Sequence, residues 1–243
     1  MRKAISLSGR LSAAAEMLGC AETVWDVGCD HGYLGASLLL SGRAENVIAT
    51  DVSHASVAKT KRLAVELGLQ GSMKIYAADG LGGDVPQTPF KLCLCGMGGE
   101  LIAQILEAGR EAASAAELIV MQPMRGEEEL RSWLFRSGYA ITDERVVRDS
   151  GRFYQLIAAV PGGGCSIPDW FPKDYFRFSW VMCSRPDDTL AALLKKYRGV
   201  YAARLDSARK NGRDPEKLVN ELVAVDAIID RLRQVGAWPE EQR

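Results

Sequence analysis

Two histidines, and six cysteines with no CxxC spacing, leave this chain of 243 residues little from which to build a metal site or a disulfide framework. Cys93 and Cys95, two apart in an apolar run, are expected on one side of a strand as small core residues. No apolar stretch reaches the ~18 residues that a membrane-spanning helix needs, and Met1–Arg10 carries no signal-peptide pattern. The expectation is a soluble cytoplasmic monomer with no membrane and no metal partner. The formal net charge of −1 excludes no partner class, because a balanced whole can carry a local basic patch. A chain of this length can bury a full core, enough for one α/β domain and something extra.

What the chain does have is Thr23–Gly35, TVWDVGCDHGYLG. Thr23–Val27 is a β-branched and aromatic run that reads as a buried strand. It breaks into Gly28-Cys29-Asp30-His31-Gly32, and Tyr33–Leu40 reads as an apolar helix. Strand, glycine turn and helix start make a nucleotide-binding corner, where backbone approaches a ligand closely and free N–H groups face it. A dinucleotide fingerprint wants glycine at the first, third and sixth positions. Those places hold Gly28, Asp30 and Tyr33, which argues against a nicotinamide dehydrogenase. Asp26-x-Gly28-x-x-x-Gly32 instead resembles the first motif of class I S-adenosylmethionine methyltransferases. An ordinary tight turn is the plainer alternative.

The other segments fall into alternation. Ile5–Leu18 has a helical stripe with Gly19 as its stop. Asn46–Thr50 is a second strand ending at Asp51-Val52, with Asp51 placed to accept both hydroxyls of a ribose or to cap the next helix, His54–Leu67. Met73–Ala77 is a third strand, followed by Asp79-Gly80 where an adenine amine would be met, or where a common turn lies. Phe90–Cys95 is the fourth, running into Gly96-Met97-Gly98-Gly99 and a helix over Glu100–Ala108. Three glycines at a strand's carboxyl end imply close backbone approach, to a ligand or to a packed helix start. Glu117–Met121 is a fifth strand, then Gln122-Pro123-Met124 and a helix over Glu127–Ser137; Tyr139–Arg148 and Arg152–Val160 read as a hairpin. The pattern describes a class I Rossmann-like, seven-stranded methyltransferase sheet over residues 1–160.

Pro161-Gly162-Gly163-Gly164 marks the expected boundary of a second region, 161–243. The aromatic Trp170–Trp180 is placed to cover one edge of the first domain. Two helical stripes separated by Lys210–Pro215 predict an antiparallel, coiled-coil-like helical hairpin. Between Lys195 and Lys217 eight basic residues, Lys195, Lys196, Arg198, Arg209, Lys210 and Arg213 among them, stand against three acidic ones. This excess on the elbow is either a solvated face or, beside a methyltransferase, a phosphate-binding surface.

Taken together, Leu7-Ser8-Gly9-Arg10-Leu11, the Asp26–Leu34 turn, Gly96-Met97-Gly98-Gly99, Gln122-Pro123 and the hairpin resemble the TrmK family, bacterial tRNA adenine-N1 methyltransferases acting at position 22 of the D arm. The family often has alanine at the place of Gly32 and serine at that of Cys29. The resemblance implies S-adenosylmethionine as donor and tRNA as acceptor. Asp26, Gly28, Cys29, Asp30, Gly32, Asp51, Val52, Asp79, Gly80, Gly96, Met97 and Gly98 would hold the cofactor. Asp30, His31, Tyr33 and Gln122 would serve the chemistry, with Asp30 stabilising the charge that develops on the base and Gln122 reading its Watson–Crick edge. Asp30 as a helix cap is the plainer alternative. Arg10 and the six named hairpin cations would contact RNA. Another RNA, a small-molecule acceptor, or a non-catalytic RNA-binding module are the competing functions.

Overall fold

The first helix, α1 (Gly9–Leu18), begins four residues later than the stripe from Ile5 predicts. In the computed structural model, which describes residues 5–164 and 166–238, Ser8 is extended at the N-cap position. The Arg10 backbone N–H donates to Asp149 Oδ2 at 3.3 Å, so a distant carboxylate serves one of the helix's free N–H groups. Gly19, at φ +62°, ends the helix.

The first of two compact units, which divide after residue 165, continues through β1 (Ala21–Val27), α2 (Tyr33–Leu40), β2 (Ala44–Asp51), α3 (His54–Leu67) and β3 (Met73–Ala77). It goes on with β4 (Phe90–Gly98), α4 (Gly99–Ala108), α5 (Arg110–Ala115), β5 (Leu118–Arg125), α6 (Glu127–Arg136), β6 (Tyr139–Asp149) and β7 (Arg152–Pro161). The short α5 was not read from the sequence. The strands form one sheet in the order β3-β2-β1-β4-β5-β7-β6. β1 pairs in parallel with β2 and β4, β2 with β3 and β4 with β5, while β7 runs antiparallel to both β5 and β6. The class I α/β expectation holds.

β4 and β5 run further than predicted. Cys95 pairs with Gln122, Met97 with Pro123 and Gly98 with Arg125, with register shifts around Met97. The pairing of β5 with β7 reaches only Met121, so β5 has a free side beyond it. A proline there breaks no ladder bond.

Residues Thr23–Val27 of β1 are buried, as expected of a parallel strand covered by helices on both faces. One face is filled from α1, α2 and α3, with Val24, Val47, Cys93 and Val120 beneath them. Cys93 and Cys95 do share a side, their sulfurs 3.5 Å apart. On the other face α4 packs with α5 and α6. There Arg131 of α6 is buried, donating to Glu144 Oε1 of β6 at 2.7 Å and to Gln155 Oε1 of β7 at 2.6 Å. The pair joins the helix to the outer hairpin.

The second unit holds α7 (Trp180–Cys183), α8 (Asp188–Lys210) and α9 (Glu216–Gln234). Asp187 caps α8, accepting from Leu190 N–H at 2.7 Å. The turn Asn211–Pro215 sends α9 back along α8, and Arg198 Nε donates to Asp226 Oδ1 at 2.6 Å across the pair. The ring contacts of Trp170–Trp180 lie inside this unit. Phe178 meets the Tyr197 ring of α8 edge-on at 5.5 Å, and Phe171 meets Trp180 at 5.9 Å. Phe171, Tyr175 and Phe178 of this stretch are buried and help to build the second unit's own core. No helix among the described residues is long and apolar enough to cross a membrane.

Candidate active site

The sheet order reverses between β1 and β4, and their carboxyl ends open the crevice where ligands bind in this architecture. Two glycine turns meet there. A Cβ on Gly28 (φ +74°) would lie 2.6 Å from the Met97 methyl, so the Met97 side chain of β4 lies on the bare β1 turn, whose left-handed backbone itself favours glycine. Gly28 and Cys29 N–H both donate to Thr50 O, at 2.8 and 2.9 Å, which pins the turn to β2. Gly32 is glycine for a different reason: its missing Cβ would lie 2.4 Å from Thr60 Cγ2 of α3.

Asp51, at the tip of β2, accepts Asp30 N–H at 3.0 Å through Oδ2 and Ser53 N–H at 2.8 Å through Oδ1. Each oxygen keeps lone pairs for a further donor. Its carboxylate is therefore held in place for two hydroxyls. The helix cap belongs to Ser53, whose hydroxyl accepts Ser56 N–H.

Asp30 stands in the left-handed region at φ +47°, a strained backbone for an aspartate. Its N–H is held by Asp51, and its carbonyl accepts from Thr60 Oγ1 at 3.0 Å. Its carboxylate is 68% exposed and lies 3.7 Å from His31 Nε2. The residue at the N-cap of α2 is Gly32, with no side-chain cap bond, so Asp30 does not cap the helix. His31 and Tyr33 are stacked, with centroids 5.5 Å apart and planes 6° from parallel, beside that carboxylate.

Tyr33, Val52, Leu101 and Met124 are large apolar side chains left exposed, and all four stand at the carboxyl ends of strands or in the segments that follow. This is the edge of an open α/β sheet at which ligands sit. Further along this edge, Asp79, Gly80, Leu81 and Gly82 face Leu101, Gln104 and Ile105 of α4 around a pocket of about 390 Å³. Gly80 packs against Ile105, where a Cβ would be 3.1 Å from Cγ2.

Several residues stand elsewhere than the sequence placed them. Asp26 lies beneath the turn, fully buried, with Gly35 N–H as its hydrogen-bond donor; burial raises its carboxyl to about 7, against the usual 3.8. It braces the corner and does not face a ligand. The Cys29 side chain is buried against Thr60, and burial pushes its thiol to about 12, so only its backbone faces the turn. Gln122 is fully buried with both ends of its amide spent: Oε1 accepts from Arg10 Nη1 at 2.7 Å and Nε2 donates to Pro123 O at 2.7 Å. It does not read a base edge. Arg10 is half-buried against Gln122 and Gly96, at the carboxyl end of β4 and far in sequence from the hairpin cations it was grouped with. In the helical unit, Lys195 lies over the Trp238 ring at 5.6 Å and Arg198 is paired with Asp226. Lys195, Lys196 and Arg198 are on the stem of α8, about 20 Å from the elbow at 1.5 Å per residue. Arg209, Lys210 and Arg213 are the exposed elbow cations.

Thr60, Leu101 and Gln104 were not singled out from sequence. A polar threonine at an inward position of the α3 stripe was the one available signal.

These turns and this pocket fit an adenosyl cofactor: a glycine cradle, an oriented carboxylate, and a cavity lined by Asp79, Leu81, Leu101 and Ile105 with room for a purine. Residues 7–157 match the family model described as a methyltransferase domain. The tRNA (adenine(22)-N(1))-methyltransferase of Bacillus subtilis (strain 168) is similar, 31% identical over 158 residues, which make up 65% of this chain and 66% of that protein. The match thus spans just under two thirds of that curated relative's length. The Streptococcus pneumoniae protein Sp1610 in complex with S-adenosyl-L-methionine has a TM-score of 0.80 at 25% identity, covering 92% of this chain and 99% of that one. The B. subtilis M1A22 tRNA methyltransferase TrmK has a TM-score of 0.74 at 23% identity, covering 95% and 99%. The motif resemblance and the overall likeness point the same way, and the chain belongs to the methyltransferase-domain family.

Proposed function

We propose that this protein is an S-adenosylmethionine-dependent methyltransferase that methylates N1 of adenine 22 in tRNA. The observation that carries the reading is the crevice between the β1 and β4 turns, with the Asp51 carboxylate pre-oriented by two backbone N–H groups and the Asp30 carboxylate exposed beside it. The similarity to the named B. subtilis enzyme supplies the acceptor.

S-adenosylmethionine would bring a methyl group on a sulfonium, a donor that needs neither a metal nor a covalent enzyme intermediate. Asp51 would hold the ribose hydroxyls, and the Gly28–Gly32 turn would let the backbone close on the methionine portion. Asp79 and the pocket shared with Leu101 and Ile105 would hold the adenine. Catalysis would then rest mainly on alignment of the acceptor nitrogen. Adenine N1 lies in a stacked base, so the nucleotide must be drawn out. Tyr33, stacked on His31 and exposed on its other side, and Met124 offer it an apolar seat. Methylation at N1 leaves the base cationic. The Asp30 carboxylate would stabilise that charge or take a proton from the exocyclic amine. Phosphate contacts, which position but do not specify, would come from the exposed elbow at Arg209, Lys210 and Arg213.

Incubating the protein with labelled S-adenosylmethionine and unmodified tRNA, then mapping the label, tests the reading. Label at N1 of adenine 22 is expected; label confined to ribosomal RNA or small molecules, or no transfer at all, overturns it.

A further inference from the structure

Arg10 is a half-buried cation whose guanidinium lies in no salt bridge among the described residues; its charge only adds to the Arg10 N–H bond that holds the Asp149 carboxyl below its usual value. Asp149 takes its backbone N–H, and the side chain's hydrogen bond goes to a neutral amide, Gln122 Oε1, at 2.7 Å. A guanidinium has five N–H groups to satisfy, and a charge drawn partly out of water costs free energy unless it is paired. The fork is also held still, because Gln122 is itself buried and fixed by its bond to Pro123 O. A Cβ on Gly96 would be 3.6 Å from Arg10 Nη1, so the guanidinium lies against the bare backbone of the β4 turn. The other charged side chains of the crevice, Asp30, Asp51 and Asp79, are acids. A guanidinium fixed in this way suits an anionic group of a ligand, and it would repel both a sulfonium and a methylated, cationic base.

We propose that Arg10 is the anion-binding residue of the crevice, its guanidinium fork taking the oxygens of a carboxylate or phosphate on a bound substrate. The proposal rests on the methyltransferase reading of the site, and two ligands of that reaction carry such oxygens. One is the amino-acid carboxylate of the cofactor; the other is the phosphodiester beside the extracted nucleotide. Planar oxyanions match the geometry of a guanidinium.

The test is calorimetry on the wild type, Arg10→Gln and Arg10→Lys, each first matched by thermal melting, with S-adenosylhomocysteine and with 5′-methylthioadenosine, which lacks the amino-acid part. A charged hydrogen bond is worth about ten- to a hundredfold in affinity. If the carboxylate is bound, Arg10→Gln weakens S-adenosylhomocysteine by about that factor and leaves methylthioadenosine unchanged, while Arg10→Lys recovers part of the loss. If the phosphate is bound, both small ligands keep their affinity, tRNA binds about tenfold more weakly, and its salt slope falls by about one. Equal weakening of both small ligands would mean that Arg10 only braces the turn; no change in any ligand would leave it without a binding role; either result overturns the proposal. A wild type that fails to bind S-adenosylhomocysteine overturns the methyltransferase reading instead.

Discussion

Asp30 combines an unfavourable backbone with an exposed carboxylate. A left-handed aspartate costs about 1 kcal/mol that glycine would avoid. Asp30→Gly is therefore expected to raise stability by about that amount in urea melts while methyl transfer is lost. Asp30→Asn should keep the fold and lower kcat by about a hundredfold or more, with S-adenosylhomocysteine affinity changed only a few-fold. Equal turnover would remove Asp30 from the chemistry. Asp26 makes a pH prediction. Its folded carboxyl is raised to about 7 by burial, against the usual 3.8. Below that usual value both folded and unfolded chains hold the proton and stability is untouched. Between about 4 and 7 the unfolded chain ionises first, so stability is lost as pH rises, by up to about 4 kcal/mol in total. Asp26→Asn can still accept Gly35 N–H, and its melting temperature relative to wild type should climb from pH 4 to pH 7.5. A constant difference would show that Asp26 ionises normally. At this scale Asp30 and Asp51 were legible, because an acid in a glycine turn and an acid at a strand tip are local patterns. The Arg10–Gln122 bond was not, since it joins residues 112 apart and reverses the role of both.

Among the elements, the Gly96–Gly99 run shows how one motif serves two masters. Gly96 holds a left-handed turn beside Arg10, whereas Gly99 is needed by its neighbours: a Cβ there would be 1.9 Å from Gly126 O, which leads into α6. Backbone cannot yield as a side chain can, so Gly99→Ala should cost about 3 kcal/mol or more. Gly98→Ala, with φ −71° and nothing within 4 Å of the new methyl, should cost about 1 kcal/mol or less. Equal costs in denaturant melts would contradict this division. Strand and helix identities were legible wherever periodicity and a stop residue agreed: Tyr33–Leu40, His54–Leu67 and Met73–Ala77 stand as read. The carboxyl ends of β4 and β5 were not, because glycine and proline usually end a strand and here lie where pairing on the other side has already stopped. The buried Arg131–Glu144 pair was equally hidden. Arg131→Met should destabilise by about 3–5 kcal/mol, by removing the guanidinium that pairs with the buried Glu144.

For the whole molecule, a net charge of −1 hides an uneven distribution. Counting cations along the chain grouped Lys195 with Arg213, but a helix spreads them along its length; Lys195 lies over Trp238 and Arg198 is paired with Asp226. Reversing charge at Arg209, Lys210 and Arg213 together should weaken tRNA binding and flatten its salt dependence by about two to three. Unchanged binding would make the elbow merely solvated. The bond from Arg10 to Asp149 spans the first helix and the outermost strand of the sheet. On a ribosome, Arg10 emerges long before the carboxylate that seats its helix. The crevice is thus finished by some of the last-translated strands of its unit, and a nascent chain stalled ahead of Asp149 should leave its leading helix open to protease.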